Sequence, residues 1–274
     1  MLRSLYSGVA GMRGFQTKLD VIGNNIANVN TVGYKKSRVM FQDILSQTVA
    51  GGKAAEAGAT GGINGKQIGL GSTVSSIDVI HTPGSPQVTN VGSDLSIHGN
   101  GFFVVRPTAD AGEMFLTRAG NFTIDAANQL VTSSGMLVVD EGGAPITLPD
   151  GTKSYSIAPD GTVNATDEAG QTTPAGKIGI ALVQNPGGLE KVGGSLYRAT
   201  PASDVTISDG GDVTELMTKA GTRGDVIAGE LEMSNVDLAE EFTEMIITQR
   251  GFQANSRIIT TSDSILEELV NLKR

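Results

Sequence analysis

Residues 2–29 read LRSLYSGVAGMRGFQTKLDVIGNNIANV and residues 238–270 read LAEEFTEMIITQRGFQANSRIITTSDSILEELV; the apolar spacing in these two stretches decides the fold. In the first, Leu5, Met12, Leu19 and Ile26 recur every seven residues. Leu2 and Val9 stand three positions ahead of two of them, and Phe15, Ile22 and Val29 widen the stripe. Such spacing keeps side chains on one face of a helix, as a coiled-coil seam requires. About 28 helical residues would span roughly 42 Å at 1.5 Å each. Asn30, Thr31 and Gly33 are the natural terminators. In the second stretch Leu238, Met245, Phe252, Ile259 and Leu266 continue a row that begins at Leu231, and the helix proper starts near Asp237. Phe242 and Val270 stand four positions after members of that row, but so do Gln249, Ser256 and Asp263. The seam is therefore narrow and partly polar, which costs stability and restricts register and partner.

Composition partitions the chain in the same way. All nine prolines lie between Pro83 and Pro201, and 30 of the 37 glycines lie between Ile44 and Gly224. Both ends are thus free of the strongest helix breaker, and the middle reads as strands and turns. The runs Gly101–Val105, Gly135–Val139 and Ile178–Val183 are apolar and bounded by turn signals. Pro159-Asp160-Gly161, set between Ser156-Ile157 and Thr162-Val163, predicts a hairpin. Residues 51–71 hold eight glycines and three charges, the composition of a pliable connector. The expected fold class is α+β: a helix over 1–30, a Gly-rich connector over 31–72, a mostly antiparallel β domain over 73–224, a return connector over 225–236 and a helix over 237–274. The two helices form a coiled-coil-like stalk.

The ends also differ in charge. Residues 1–43 carry six Lys or Arg against two Asp or Glu, and residues 225–274 carry four against ten. Opposite signs on two amphipathic helices favour their association, although solvated faces alone would give the same split. A two-helix stalk has little apolar surface of its own and is marginal alone. Packed against copies of itself it becomes stable, and repeated head-to-tail contacts close into rings or continue as helical polymers. The bland alternative is that both helices simply pack on the β domain.

Chemistry is conspicuously sparse. The chain has no cysteine, so it has no disulfide, thiolate nucleophile or Cys-based metal site. Its only histidines are His81 and His98, and His98 reads as an exposed turn residue. A phosphate loop around Gly65-Lys66 fails because Thr60 stands for the leading Gly and Gln67 for Ser or Thr. No Gly-x-Ser-x-Gly elbow is present. The acidic net charge of −9 disfavours a nucleic-acid partner, and Lys35-Lys36-Ser37-Arg38 reads as a solvated cluster or a contact with acidic neighbours. Residues 1–14 lack the continuous apolar core of a secretory leader, so export, if it occurs, would not cleave one. The expectation is a non-enzyme without cofactor, metal, small-molecule substrate or nucleic acid. A basic, amphipathic membrane-surface helix over 2–29 is a competing reading, and it leaves the acidic C-terminal stripe unexplained.

Leu19-Asp20-Val21-Ile22-Gly23-Asn24-Asn25-Ile26-Ala27-Asn28-Val29-Asn30-Thr31, followed by Gly33-Tyr34-Lys35, resembles the N-terminal signature of bacterial flagellar rod and hook (axial) proteins. Asp94-Leu95-Ser96-Ile97, Gly99-Asn100-Gly101-Phe102-Phe103 and Thr117-Arg118-Ala119-Gly120-Asn121-Phe122 resemble that family's central β motif. Leu231-Glu232-Met233-Ser234-Asn235-Val236-Asp237-Leu238 and Gln249-Arg250-Gly251-Phe252-Gln253-Ala254-Asn255-Ser256 resemble its C-terminal signature. The resemblance implies terminal helices nested as an inner tube around an export channel, with the β domain outward. It implies export through the flagellar type III apparatus, and as partners further copies, neighbouring rod proteins, and hook-cap and hook-filament junction proteins. The length fits both the distal rod protein and the short hook protein of Gram-positive bacteria. Gln249–Arg257 and the terminal Asn271-Leu272-Lys273-Arg274 look more hook-like, so the expected function is a hook subunit that transmits motor torque. The alternative is a distal rod subunit, and a remoter one is a secreted β-domain binding module.

In that frame the expected assembly interface comprises Leu5, Met12, Leu19, Ile26, Leu238, Met245, Phe252, Ile259 and Leu266, joined by Asn24, Asn25 and Asn28. Asparagine is a poor helix former, so propensity does not explain a cluster near a helix end. Its amides would either bridge neighbouring subunits or cap the helix locally. In a bending hook, 51–71 would let neighbouring outer domains slide.

Overall fold

The computed structural model describes residues 2–54, 61–108, 113–168, 170–204, 216–217 and 224–272. The chain forms two compact units, one from residues 1–27, 37–79 and 237–274, the other from 28–36 and 80–236.

The first unit is built on helices α1 (Leu2–Ala27) and α2 (Leu238–Asn271). The start of α2 follows from Asp237, whose carboxylate accepts from the backbone N–H groups of Ala239 and Glu240. Glu240 and Glu241 add negative charge at the positive end of the helix dipole. The helices run antiparallel. Lys18 pairs with Glu244 at 2.5 Å, while nearer the N-terminus of α1 Gly11 faces Asn255 and Gly8 faces Ile259. The ion pair joins the basic end of the chain to the acidic one, as the charge split predicts.

The rest of this unit is a two-stranded ribbon. Strand β1 (Ser37–Asp43) pairs with β4 (Ser72–Val79), and β2 (Ser46–Ala50) pairs with β3 (Lys66–Gly69). A bridge between Lys53 and Ile63 carries the pairing further. The segment expected as a Gly-rich connector over 31–72 therefore holds three strands and the start of a fourth; its residues 55–60 lie outside the described residues. Alternating β-branched and polar residues, such as Thr48-Val49 and Thr73-Val74, outweigh the glycine content locally. A lone ribbon is marginal in water, and this one packs along α1. The Phe41 ring lies 5.9 Å from that of Phe15.

The second unit is antiparallel β throughout its described pairings. Its strands are β5 (Pro86–Val88), β6 (Leu95–His98), β7 (Phe102–Arg106), β8 (Phe115–Thr117), β9 (Phe122–Ile124), β10 (Leu130–Thr132) and β11 (Leu137–Val138). They are followed by β12 (Thr152–Ile157), β13 (Thr162–Asp167), β14 (Thr172–Lys177), β15 (Ile180–Ala181), β16 (Glu190–Gly193), β17 (Leu196–Arg198), β18 (Asp225–Ala228) and β19 (Glu230–Glu232). The main sheet has the order β16-β17-β8-β7-β11-β10-β9, with β15 also on β7, and β12-β13-β14 form a meander. Asp160-Gly161 makes the expected hairpin between β12 and β13, Gly161 taking φ +84°. Strand β7 explains its continuous apolar run: Phe103 and Val105 enter one core, Phe102 and Val104 the other.

The expected domain edges shift in two places. Strand β4 belongs with the ribbon, so the β unit resumes at 80 rather than 73. The return connector over 225–236 holds β18 and β19, which pair with β6 and β5. Alternation in Asp225-Val226-Ile227-Ala228, with Val226 buried in the first core, makes it a strand.

Candidate assembly interface

The helix pair of the first unit has an unusual seam. The buried residues of α2 are Glu241, Thr248 and Ser262, and half-buried Asn255 completes their seven-residue row. On α1, Gly8 and Gly11 face Asn255 and Ile259, Asn25 bonds to Glu241 and Ile22 is buried, while buried Gly14 faces Phe41 of β1. Small and polar groups thus occupy the centre of the contact, and glycine lets the backbones approach. A Cβ on Gly251 would stand 2.8 Å from Phe15 Cζ, and one on Gly11 2.6 Å from Asn255 Nδ2. Gly251 thus makes room for the Phe15 ring and Gly11 for the Asn255 amide.

The expected rows consequently sit to the side of the seam. Met245, Phe252, Ile259 and Leu266 are half-buried, Leu238 is exposed, and Leu5, Met12, Leu19 and Ile26 are half-buried. Ile22, read as widening the stripe, lies deeper than the row itself. Apolar surface remains open around α2: Phe242 and Ile246 opposite the seam, and Ile247, Ile258, Ile265 and Leu269 beside it, are between 42% and 56% exposed. The ribbon adds exposed Leu45, Val49, Ile63 and Ile68. A helix pair with a polar seam and an oily exterior inverts the pattern of a self-sufficient stalk, and such exposure marks a contact surface.

The three asparagines have separate places. Asn25 is buried, donating to the Ser37 carbonyl at 2.9 Å and to Glu241 at 3.2 Å and accepting from Ser37 N–H at 3.0 Å. Its amide joins α1, β1 and α2 within one chain. Buried beside the first strand of the ribbon, it satisfies backbone groups that would otherwise be orphaned. Asn28 shapes the turn after α1, its side chain accepting from Thr31 Oγ1 and its carbonyl from Thr31 N–H. Asn24 is exposed.

A cluster that sequence reasoning missed lies in the second unit. Lys35 is fully buried, not solvated as its basic run suggests. Its ammonium lies 2.5 Å from Glu232 and 2.7 Å from the Thr82 carbonyl. Arg118 reaches the other Glu232 oxygen at 3.2 Å, donates to the carbonyls of Ile97 and Gly99, and stands 5.3 Å from the centre of the Phe102 ring. Gly84 N–H also donates to Glu232. Burial alone would raise the Glu232 carboxyl, but Arg118 and Lys35 hold it below its ordinary value. Burial pulls the Lys35 ammonium down against the opposing pull of Glu232. Nearby His81 stacks edge-on to Phe102 and Tyr197, and burial, aided by Lys35, Arg118 and Lys191, lowers it to about 4. The cluster joins one residue from each of the three quoted signatures: Lys35, Arg118 and Glu232. Only a charged residue of each sign inside otherwise unrelated motifs hinted at it.

Among the described residues no group of His, Cys, Asp or Glu is arranged to hold a metal. No described helix is long and apolar enough to cross a membrane. What the molecule presents is apolar surface along α2 and a β unit whose buried Lys35 and Arg118 share the one carboxylate of Glu232.

Three family descriptions match the chain: "Flagella basal body rod protein" over residues 5–35, "Flagellar hook protein FlgE/F/G D1 domain" over 96–165, and "Flagellar basal body rod FlgEFG protein C-terminal" over 227–272. The flagellar basal-body rod protein FlgG of Bacillus subtilis is 53% identical over 276 residues, covering all of both chains. FlgG of Buchnera aphidicola from Acyrthosiphon pisum is 36% identical over 99% of this chain. The flagellar hook protein FlgE of Borreliella burgdorferi is 29% identical over 452 aligned positions covering both chains. The chain belongs to the flagellar rod and hook family of axial proteins, structural components of the bacterial flagellum. Within that family the relatives favour the rod over the hook reading that the terminal sequences suggested.

Proposed function

We propose that this chain is a distal-rod subunit, polymerising with its own copies into the stiff axial tube of the flagellar basal body. The observation that carries this reading is the 53% identity to a rod protein across the full length of both chains, against 29% to a hook protein. The hook relative needs 452 aligned positions for the match, while the rod relative needs 276, close to the 274 residues of this chain. The exposed apolar side chains of α2 supply the contact between copies, and Asn24 with Leu5, Met12, Leu19 and Ile26 lines the complementary side. The ribbon is a second contact; ladder-paired along much of its length, it braces neighbours rather than letting them slide. Torque passes through these contacts without chemistry. Neighbouring rod and hook proteins adjoin the two ends of the polymer, and the chain reaches its place through the type III export apparatus.

The test is location. Gold-labelled antibody to an epitope inserted in the β unit should mark the rod in purified hook–basal bodies. Deleting the chain should stop assembly before the hook. Label confined to the curved external segment would overturn the rod reading in favour of the hook.

A further inference from the structure

Strands β5 and β6 find their strand partners only in the return segment, among the described residues: β6 pairs with β18 and β5 with β19. The same short segment places Val226, 1% exposed, in the first core. It also brings Glu232 to two buried cations that lie 197 and 114 residues earlier in the chain. Without that carboxylate, Lys35 and Arg118 would face each other inside the protein with only backbone carbonyls and an aromatic ring to oppose their charge. A buried charge whose partner is removed is strongly destabilising, whereas an apolar replacement of the whole group is often tolerated. The gap left by the segment is therefore costly in two ways, through open strand edges and through uncompensated charge.

We propose that residues 225–236 are a closing segment whose carboxylate, Glu232, gates folding of the β unit, so that the unit gains stable structure only once this segment docks. The segment ends at the N-cap of α2, so closure of the β unit and the start of the terminal helix are neighbouring events along the chain. The inference is independent of the rod reading, because it concerns the folding of a single chain and is measured on monomers.

Pulsed hydrogen exchange during refolding of the full-length chain tests it. Amides of β6, β7 and β8 should gain protection in the same kinetic phase as those of β18 and β19. Glu232→Ala should lower protection throughout β6–β8 by about 10²–10³-fold. The triple replacement Lys35→Met, Arg118→Leu, Glu232→Leu should recover most of that loss, which assigns it to the uncompensated charge of Lys35 and Arg118 rather than to lost packing. Protection of β6–β8 in a phase ahead of β18, or a Glu232→Ala protein as protected as the parent, would overturn the proposal. If neither variant folds, the order of phases in the parent chain decides alone.

Discussion

Replacing Ile258 by Asp separates folding from assembly. Ile258 is 45% exposed on the flank of α2, four residues before Ser262 of the buried row. Full burial of an isoleucine side chain contributes about 1.5–3 kcal/mol, so covering the exposed half against a neighbour contributes about 1 kcal/mol. An aspartate there would lose that term and be desolvated without a partner, which costs a further few kcal/mol, roughly 2–4. The total of about 3–5 kcal/mol weakens each contact by about 10²–10⁴-fold, and the loss recurs at every subunit. The monomer should lose only about 1 kcal/mol, the share of the side chain already covered within the chain, because the two residues have similar helix propensity. Urea unfolding of the monomer and pelleting of polymer at matched concentration read the two effects separately. Normal polymer would refute the assignment of this face, and a monomer destabilised as much as the polymer would show that Ile258 acts in the fold.

Further outcomes follow from the same geometry. Asn25→Leu should destabilise the monomer by about 2–4 kcal/mol, since it orphans two backbone groups of Ser37 and a partner of Glu241. Asn24→Leu should leave the urea midpoint unchanged and abolish polymer. Gly33→Ala should cost about 2–5 kcal/mol in thermal or urea unfolding, because Gly33 has φ +67° and a Cβ would stand 2.5 Å from Ala119 N. His81 binds a proton near its ordinary 6.5 when unfolded but only near about 4 when folded, so the unfolded chain holds more protons between those values. Stability should accordingly fall as pH drops through that window, by at most about 3 kcal/mol and closer to 1–2 kcal/mol because the ring is partly solvated. His81→Phe should flatten that part of a pH series of urea midpoints.

Local patterns carried the helices, the Asp237 cap, the Asp160-Gly161 hairpin and the buried strand Phe102–Arg106, since each is written in neighbouring residues. The seam was harder, because α1 carries two seven-residue rows, one through Leu5 and Met12 and one through Gly8, Phe15 and Ile22. Hydrophobicity favours the first, but close approach uses Gly8 of the second and Gly11, which belongs to neither. Composition misread the ribbon: glycines at its turns masked strands whose pairing partner lies across the loop. The Lys35–Glu232–Arg118 cluster was illegible for a different reason. Its members are joined by topology alone, and in one dimension a buried lysine looks like any other in a basic run.

The central claim is that the exposed apolar side chains of α2 are covered by neighbouring copies. A helical reconstruction of the polymer at side-chain resolution measures it directly. The account predicts that Ile258, Ile265 and Leu269, exposed in the single chain, become buried against adjacent subunits. Finding those three side chains still open to solvent in the polymer would contradict it.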